Sequence, residues 1–322
     1  MQLIAKRFAA IALLLPLLCA CPSGAEEPAR HFIRFADSEA MHAFFRYADD
    51  APVIVQGHRG TRENGLPESS IAAMEYVLRQ QPAIFEIDPR LTKDSVVVVF
   101  HDAKLDRTTD GTGNVADCTW EELQRLHLKN AQGEVTEHRI PTLGEVLDWA
   151  RDRTVLILDK KDVPLPVIAR MIRRHDANRY VVNMVRSPED ARYYYEENPQ
   201  RMFSVSIREP ETFARYMEAG IPPTQLFACI GTEINERTHE LCALMRRHGI
   251  RCLLATGSSY DKLKSREERA EAYRRAIAGG VTMLESNYPV EVGRALSAGA
   301  SDGSTPAHKP VGKTANSYEK TQ

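Results

Sequence analysis

Short apolar, β-branched runs alternate with longer amphipathic stretches from about residue 53 onward. The runs Val53–Gln56, Ile84–Asp88, Val96–Phe100, Val155–Leu158, Tyr180–Val185, Phe203–Ile207, Leu226–Cys229, Arg251–Ala255 and Val281–Leu284 read as strands. Between them, helical periodicity covers Ser70–Gln80, with Ser69 available as N-cap, and Thr142–Asp152. It returns over Val167–His175, Pro188–Glu197, Glu211–Ala219, Glu236–His248 and Ser265–Ala278. Trp120 reads as a further helix start packed on the barrel; the triple tyrosine Tyr193–Tyr195 and the run Arg246-Arg247-His248 read as helix faces.

Strands that are apolar throughout, each followed by a helix, imply a parallel sheet covered on both faces. The expected fold is therefore an α/β (β/α)8 TIM barrel. Nine candidates compete for eight places, and Leu226–Cys229 is the run assigned to a buried connector. A doubly wound open sheet is the alternative, but no glycine-rich phosphate loop follows the first strand.

The two ends differ from the middle. Lys6 and Arg7 precede an apolar run from Phe8 to Leu18, too short to span a bilayer and of the length of a secretory signal core. Leu18-Cys19-Ala20-Cys21 resembles a bacterial lipobox, which implies cleavage and a lipid on Cys21; ordinary signal cleavage after Ala25 is the alternative. The expected organisation is a lipoprotein-type signal over 1–21, a tether and N-terminal cap over 22–52, a barrel over 53–300 and a disordered tail over 301–322, which is rich in Ser, Thr, Lys and Gly. Such a chain is exported to the cell envelope and held at the membrane. An oxidising compartment permits disulfides among Cys118, Cys229, Cys242 and Cys252, although buried thiols fit as well and none has metal-ligand spacing. A formal net charge of −2 gives no basic surface for nucleic acid.

The polar residues cluster at strand ends. His58 and Arg59 follow the first run, Glu86 and Asp88 end the second, and His101 and Asp102 follow Val96–Phe100. Asp159 and Lys161 close Val155–Leu158, and Glu285 closes Val281–Leu284. In a barrel such ends meet on the face that carries the active site. Glu86 and Asp88, at i and i+2, share one face of a strand and repel unless a positive group lies between them. Oxygen ligation suits Ca²⁺ or Mg²⁺, with Asp159 as a third carboxylate; salt bridges to Arg90 and other basic residues are the alternative. Histidines at two strand ends suit general acid–base work, and Arg59 and Lys161 suit phosphate oxygens.

The succession His58-Arg59-Gly60, Leu66-Pro67-Glu68-Ser69-Ser70, Phe85-Glu86-Ile87-Asp88, His101-Asp102 and Leu105-Asp106-Arg107-Thr108-Thr109-Asp110-Gly111-Thr112-Gly113 resembles the glycerophosphodiester phosphodiesterases. Ile140-Pro141-Thr142-Leu143 and Asp159-Lys160-Lys161 extend the likeness. It implies a TIM barrel, a divalent cation on Glu86, Asp88 and Asp159, and His58 and His101 as the acid–base pair. Glu68 is then expected near the histidines or the phosphate-binding arginine. The implied reaction is hydrolysis of a glycerophosphodiester to glycerol 3-phosphate and an alcohol. A phospholipase C- or D-like enzyme and a non-catalytic phosphodiester-binding lipoprotein are the competing readings. Departures from the pattern include Ser69 for Asn, Asp159 for Glu, Ser95 for a turn glycine, and Ala255-Thr256 for Trp-Thr. Ser286-Asn287-Tyr288-Pro289 replaces T-D-x-P and loses an acid.

Overall fold

The computed structural model describes residues 31–301 of the chain. The expected signal with Cys21, residues 22–30 of the expected tether, and residues 302–322 of the expected tail lie outside the described residues.

Eight parallel strands close into a barrel. They are β1 (Ile54–His58), β2 (Ile84–Ile87), β3 (Leu156–Leu158), β4 (Val181–Val185), β5 (Met202–Ser206), β6 (Leu226–Gly231), β7 (Arg251–Ala255) and β8 (Met283–Ser286). Each pairs with its successor, and β8 returns to β1 with Met283 opposite Ile54. Strand side chains alternate, so each strand feeds two cores. Val55, Phe85, Leu156 and Leu284 point outward and pack under the helices. Ile54, Ile84, Val155, Ile157, Phe227 and Met283 point inward and fill the lower barrel.

A short helix, Ser38–Phe45, closes the lower end. Asp37 caps it by accepting from Ala40 N at 2.8 Å. Met41 and Phe45 enter the inner core beside Ile33, and Phe45 stacks on Phe227 at 5.2 Å between centroids. Burial of each such side chain stabilises the fold by roughly 1.5–3 kcal/mol. The lower barrel is thus filled by apolar side chains, and the ionisable side chains of the strand ends lie above them.

Two strand assignments change. Leu226–Gly231 is a barrel strand, paired on both sides with β5 and β7. The run at Val97–Val99 is not; it pairs antiparallel with Pro89–Leu91, Pro89 opposite Val99. Its unbroken apolarity has a different cause. Val97 and Val99 face the main core, while Val98 and Phe100 face a separate cluster with Leu105, Val115, Leu123, Leu128 and Ile140. The chain therefore leaves the barrel after Asp88, builds a small lobe over residues 89–142, and returns through the helix Leu143–Ala150. Trp120 packs on this lobe cluster rather than on the barrel. The cap of the helix Ile71–Gln80 is Ser70, whose Oγ accepts from Ala73 N; Ser69 sits in the left-handed region at φ +62° instead.

Candidate active site

The alternation that fills the lower barrel sets the layer above it. On β1 the inward positions after Ile54 are Gln56 and His58; on β2, after Ile84, they are Glu86 and then Asp88; on β8, after Met283, it is Glu285. Register places His58 beside Glu86 and Gln56 beside Glu285. Gln56 Nε2 donates to Glu285, so this layer is tied together within the barrel. The turn beyond β1 depends on a close approach: a Cβ on Gly57 would lie 2.2 Å from Gly60 O and 2.8 Å from the Phe85 ring. Arg59 follows at φ +57°, a conformation that costs about 1–2 kcal/mol for a side chain with Cβ. It is held there by Arg59 N to Glu86 O at 3.0 Å and Ser69 N to Arg59 O at 2.8 Å.

Glu86, Asp88 and Asp159 bring one carboxylate oxygen each to within 4.8 Å of one another. The shorter Asp159 therefore still reaches the set. Arg90, the competing salt-bridge partner, is engaged by Asp162 at 2.8 Å and by the His101 carbonyl at 2.9 Å. Lys161 lies between two of the carboxylates, 2.7 Å from Asp88 Oδ1 and hydrogen-bonded to Asp159 Oδ2. Glu86 Oε2 is buried and receives no hydrogen bond. Burial, followed by the charges of Asp88, Glu285 and Asp159, raises the Glu86 pKa well above the usual carboxylate value. Burial also raises Glu285. For Asp159 burial is opposed and outweighed by Lys161 and Arg186, and its pKa is lowered. A buried, all-oxygen, acid-rich cluster with an unsatisfied oxygen fits a hard divalent cation.

The two histidines have different partners. His58 Nδ1 lies 3.0 Å from Asn287 Oδ1, and its Nε2 is 3.9 Å from Glu86 Oε2. His101 Nδ1 lies 2.6 Å from Asp102 Oδ1, and Arg107 Nε holds the other Asp102 oxygen at 2.6 Å. Each partner oxygen accepts a hydrogen bond, so both Nδ1 atoms donate and both Nε2 atoms are left for chemistry. Burial lowers the His101 pKa, with Asp102 opposing. Arg107 holds Asp102 well below the usual carboxylate range.

Glu68 organises the arginines. Arg59 Nη1 reaches its Oε1 at 2.9 Å, Arg107 Nη2 the same oxygen at 2.7 Å, and Arg62 Nη2 its Oε2 at 2.8 Å. Burial opposes this charge, but Arg107, Arg59 and Arg62 together outweigh it and hold the pKa at about 2. Arg59 Nε also lies 3.5 Å from Asp88 Oδ2. The arginine expected at phosphate is thus fixed between Glu68 and the carboxylate cluster.

All eight residues singled out from sequence belong to this end of the barrel: His58, His101, Arg59, Glu68, Lys161, Glu86, Asp88 and Asp159. Sequence reasoning assigned no role to Asp102, Arg107, Asn287 or Asp261. Asp102 and Arg107 stood inside the quoted motifs, and their pairing was the available signal. Asp261 carried none, since it lies in a turn far from any motif. The four cysteines among the described residues are free thiols.

Comparison with known proteins follows the same lines. The model of the "Glycerophosphoryl diester phosphodiesterase family" matches residues 58–227. A glycerophosphodiester phosphodiesterase of Caldanaerobacter subterraneus is 41% identical over 105 residues, 32% of this chain and 43% of that protein. One from Bacillus subtilis is 24% identical, covering 74% of this chain and 84% of that protein. The chain spans under half the length of some curated relatives that it matches. A crystal structure of a glycerophosphoryl diester phosphodiesterase from Parabacteroides distasonis superposes with TM-score 0.82 at 44% identity, covering 84% of this chain and 95% of that one. An Oleispira antarctica phosphodiesterase, solved with the product sn-glycerol-3-phosphate, shares the fold with TM-score 0.60 at 19% identity, covering 76% of this chain and 97% of that one.

Proposed function

Since the chain belongs to the glycerophosphoryl diester phosphodiesterase family, we propose that it is a metal-dependent hydrolase of glycerophosphodiesters, releasing glycerol 3-phosphate and an alcohol. The observation that carries this reading is the placement of His58 Nε2 beside the cluster of Glu86, Asp88 and Asp159. Those carboxylates would hold Ca²⁺ or Mg²⁺, which when bound supplies positive charge to the phosphoryl oxygens. Arg59 and Lys161 add to that charge where the substrate phosphate enters.

The partners of the two imidazoles divide their work. His58 leans on a neutral amide, so its Nε2 lone pair is the base that takes a proton from the attacking oxygen, water or the neighbouring glycerol 2-hydroxyl. His101 leans on a carboxylate, which unlike an amide supports an imidazolium although burial works against it, so it is the imidazole that returns a proton to the departing alcohol. The product recorded in the Oleispira relative supports this outcome. The test is incubation with glycerophosphocholine, glycerophosphoethanolamine and phospholipid vesicles, with Ca²⁺ or Mg²⁺ added. Glycerol 3-phosphate from the soluble diesters is expected. Cleavage of the vesicle lipids alone would point to a phospholipase, and binding without cleavage would overturn the enzyme reading. The leader sequence supports export with a lipid on Cys21; intact-mass analysis of wild type and Cys21→Ala from the membrane fraction tests it.

A further inference from the structure

The side chain of Asp261 lies in the short turn Tyr260–Lys262, outside every motif of the chain, yet five hydrogen bonds converge on it. Its Oδ1 accepts from Thr256 Oγ1 at 2.7 Å, Tyr273 OH at 2.9 Å and Ser286 Oγ at 2.9 Å. Its Oδ2 accepts from Asn287 N at 2.7 Å and Asn287 Nδ2 at 3.0 Å. The residue is buried, and no lysine or arginine among the described residues pairs with it in a salt bridge. A buried carboxylate ringed only by donors must act as acceptor through both oxygens.

That geometry decides which way the Asn287 amide faces. Its Nδ2 is committed to Asp261, so its Oδ1 is the atom turned toward His58 Nδ1, 3.0 Å away. An oxygen there demands a proton on Nδ1 and leaves the lone pair of the neutral ring on Nε2, the nitrogen beside Glu86. With the amide reversed, an N–H would face Nδ1, the proton would move to Nε2, and the base would point its donor at the site. Gly257 supports the arrangement sterically, since a Cβ there would meet Asn287 Nδ2 at 3.1 Å and His58 Nδ1 at 3.8 Å. The acid missing at position 287 thus reappears one step further back, at position 261.

We propose that Asp261 is a positioning residue for the reaction, acting through Asn287 to fix the tautomer and orientation of His58. This rests on the proposed role of His58 as base, but the tautomer can be read without any activity. Nitrogen-15 spectra of histidine-labelled protein, assigned by a His58→Gln variant, are expected to show His58 protonated at Nδ1 in the neutral ring. In Asp261→Asn and Asn287→Ala the ring shifts toward protonation at Nε2. The kcat for glycerophosphocholine falls about 10- to 100-fold while KM stays within about twofold. Asn287→Ala keeps the backbone N–H to Asp261, so it is read if Asp261→Asn does not fold. Folded variants with the wild-type His58 tautomer and unchanged kcat would overturn the proposal. A tautomer change in protein that cleaves no diester would instead uphold the geometry and remove the base role.

Discussion

Arg107 crosses from the inserted lobe to the barrel, its Nη2 lying 2.7 Å from Glu68 Oε1. The contact ties the lobe that presents His101 to the turn that presents Arg59. Because Glu68 is held at about pH 2 against an ordinary 4.5, its charge stabilises the fold by about 2–3 kcal/mol at neutral pH. The sign follows from a depressed carboxylate: the contribution is full above about pH 4.5 and is lost as pH falls toward 2. Glu68→Gln is expected to lower urea stability by about that amount at pH 7, and the gap from wild type narrows between pH 5 and pH 3. A gap independent of pH would contradict the assignment.

Asp102 raises the His101 pKa, and burial lowers it further than Asp102 can restore. Asp102→Asn removes the larger of the two groups that oppose burial, Asp88 being the other, so the limb of the pH–rate profile that belongs to His101 moves to lower pH. The kcat near pH 7 falls by roughly 10- to 100-fold as the protonated acid becomes scarcer. A limb that stays in place would show that His101 does not govern it.

Glu86 holds a proton more tightly than an ordinary carboxylate, first because of burial and then because of Asp88, Glu285 and Asp159. A divalent cation held by Glu86, Asp88 and Asp159, as proposed, would reverse that balance and displace the proton. Calorimetry of Mg²⁺ or Ca²⁺ binding in buffers of different ionisation enthalpy is expected to report release of up to about one proton in wild type. The release shrinks in Glu86→Gln. Affinity should rise with pH from the ordinary carboxylate range up to the raised value of Glu86. Equal proton release in both proteins would place the cation elsewhere.

Ser95 takes the left-handed conformation at φ +65°, in the turn between Pro89–Leu91 and Val97–Val99, with its side chain exposed. Relief of that strain exceeds the entropy that glycine adds to the unfolded chain. Ser95→Gly is therefore expected to raise stability by about 0.5–1 kcal/mol, with kinetics unchanged, in thermal or urea unfolding.

How much of this could be read beforehand differs from residue to residue. Period-two alternation on β1, β2 and β8 puts His58, Glu86 and Glu285 on the face shared with Ile54, Ile84 and Met283, and that was legible because sheet geometry is local. Val97–Val99 misled for a physical reason: a strand buried between the barrel core and a lobe core is as apolar as a central barrel strand. Its promotion forced the demotion of Leu226–Cys229. Ser95 was visible as a departure at a turn, and the strain followed from it. Asn287 was visible only as a lost acid, since its compensation by Asp261 spans 26 residues and exists only once the chain is folded. Arg107 was in view but without a role, because Glu68, 39 residues away, meets it only when the lobe closes on the barrel; its pairing with Asp102, five residues back in the same lobe, was the one local signal.

Phosphorus-31 spectroscopy of glycerophosphocholine incubated with the protein and Mg²⁺ or Ca²⁺ tests the central claim most directly. The diester resonance is expected to give way to a phosphomonoester at the position of glycerol 3-phosphate. That conversion should stop on chelation and be absent in His58→Ala and His101→Ala. A diester resonance that persists with folded, cation-loaded wild type, or conversion undiminished in both histidine variants, would contradict it.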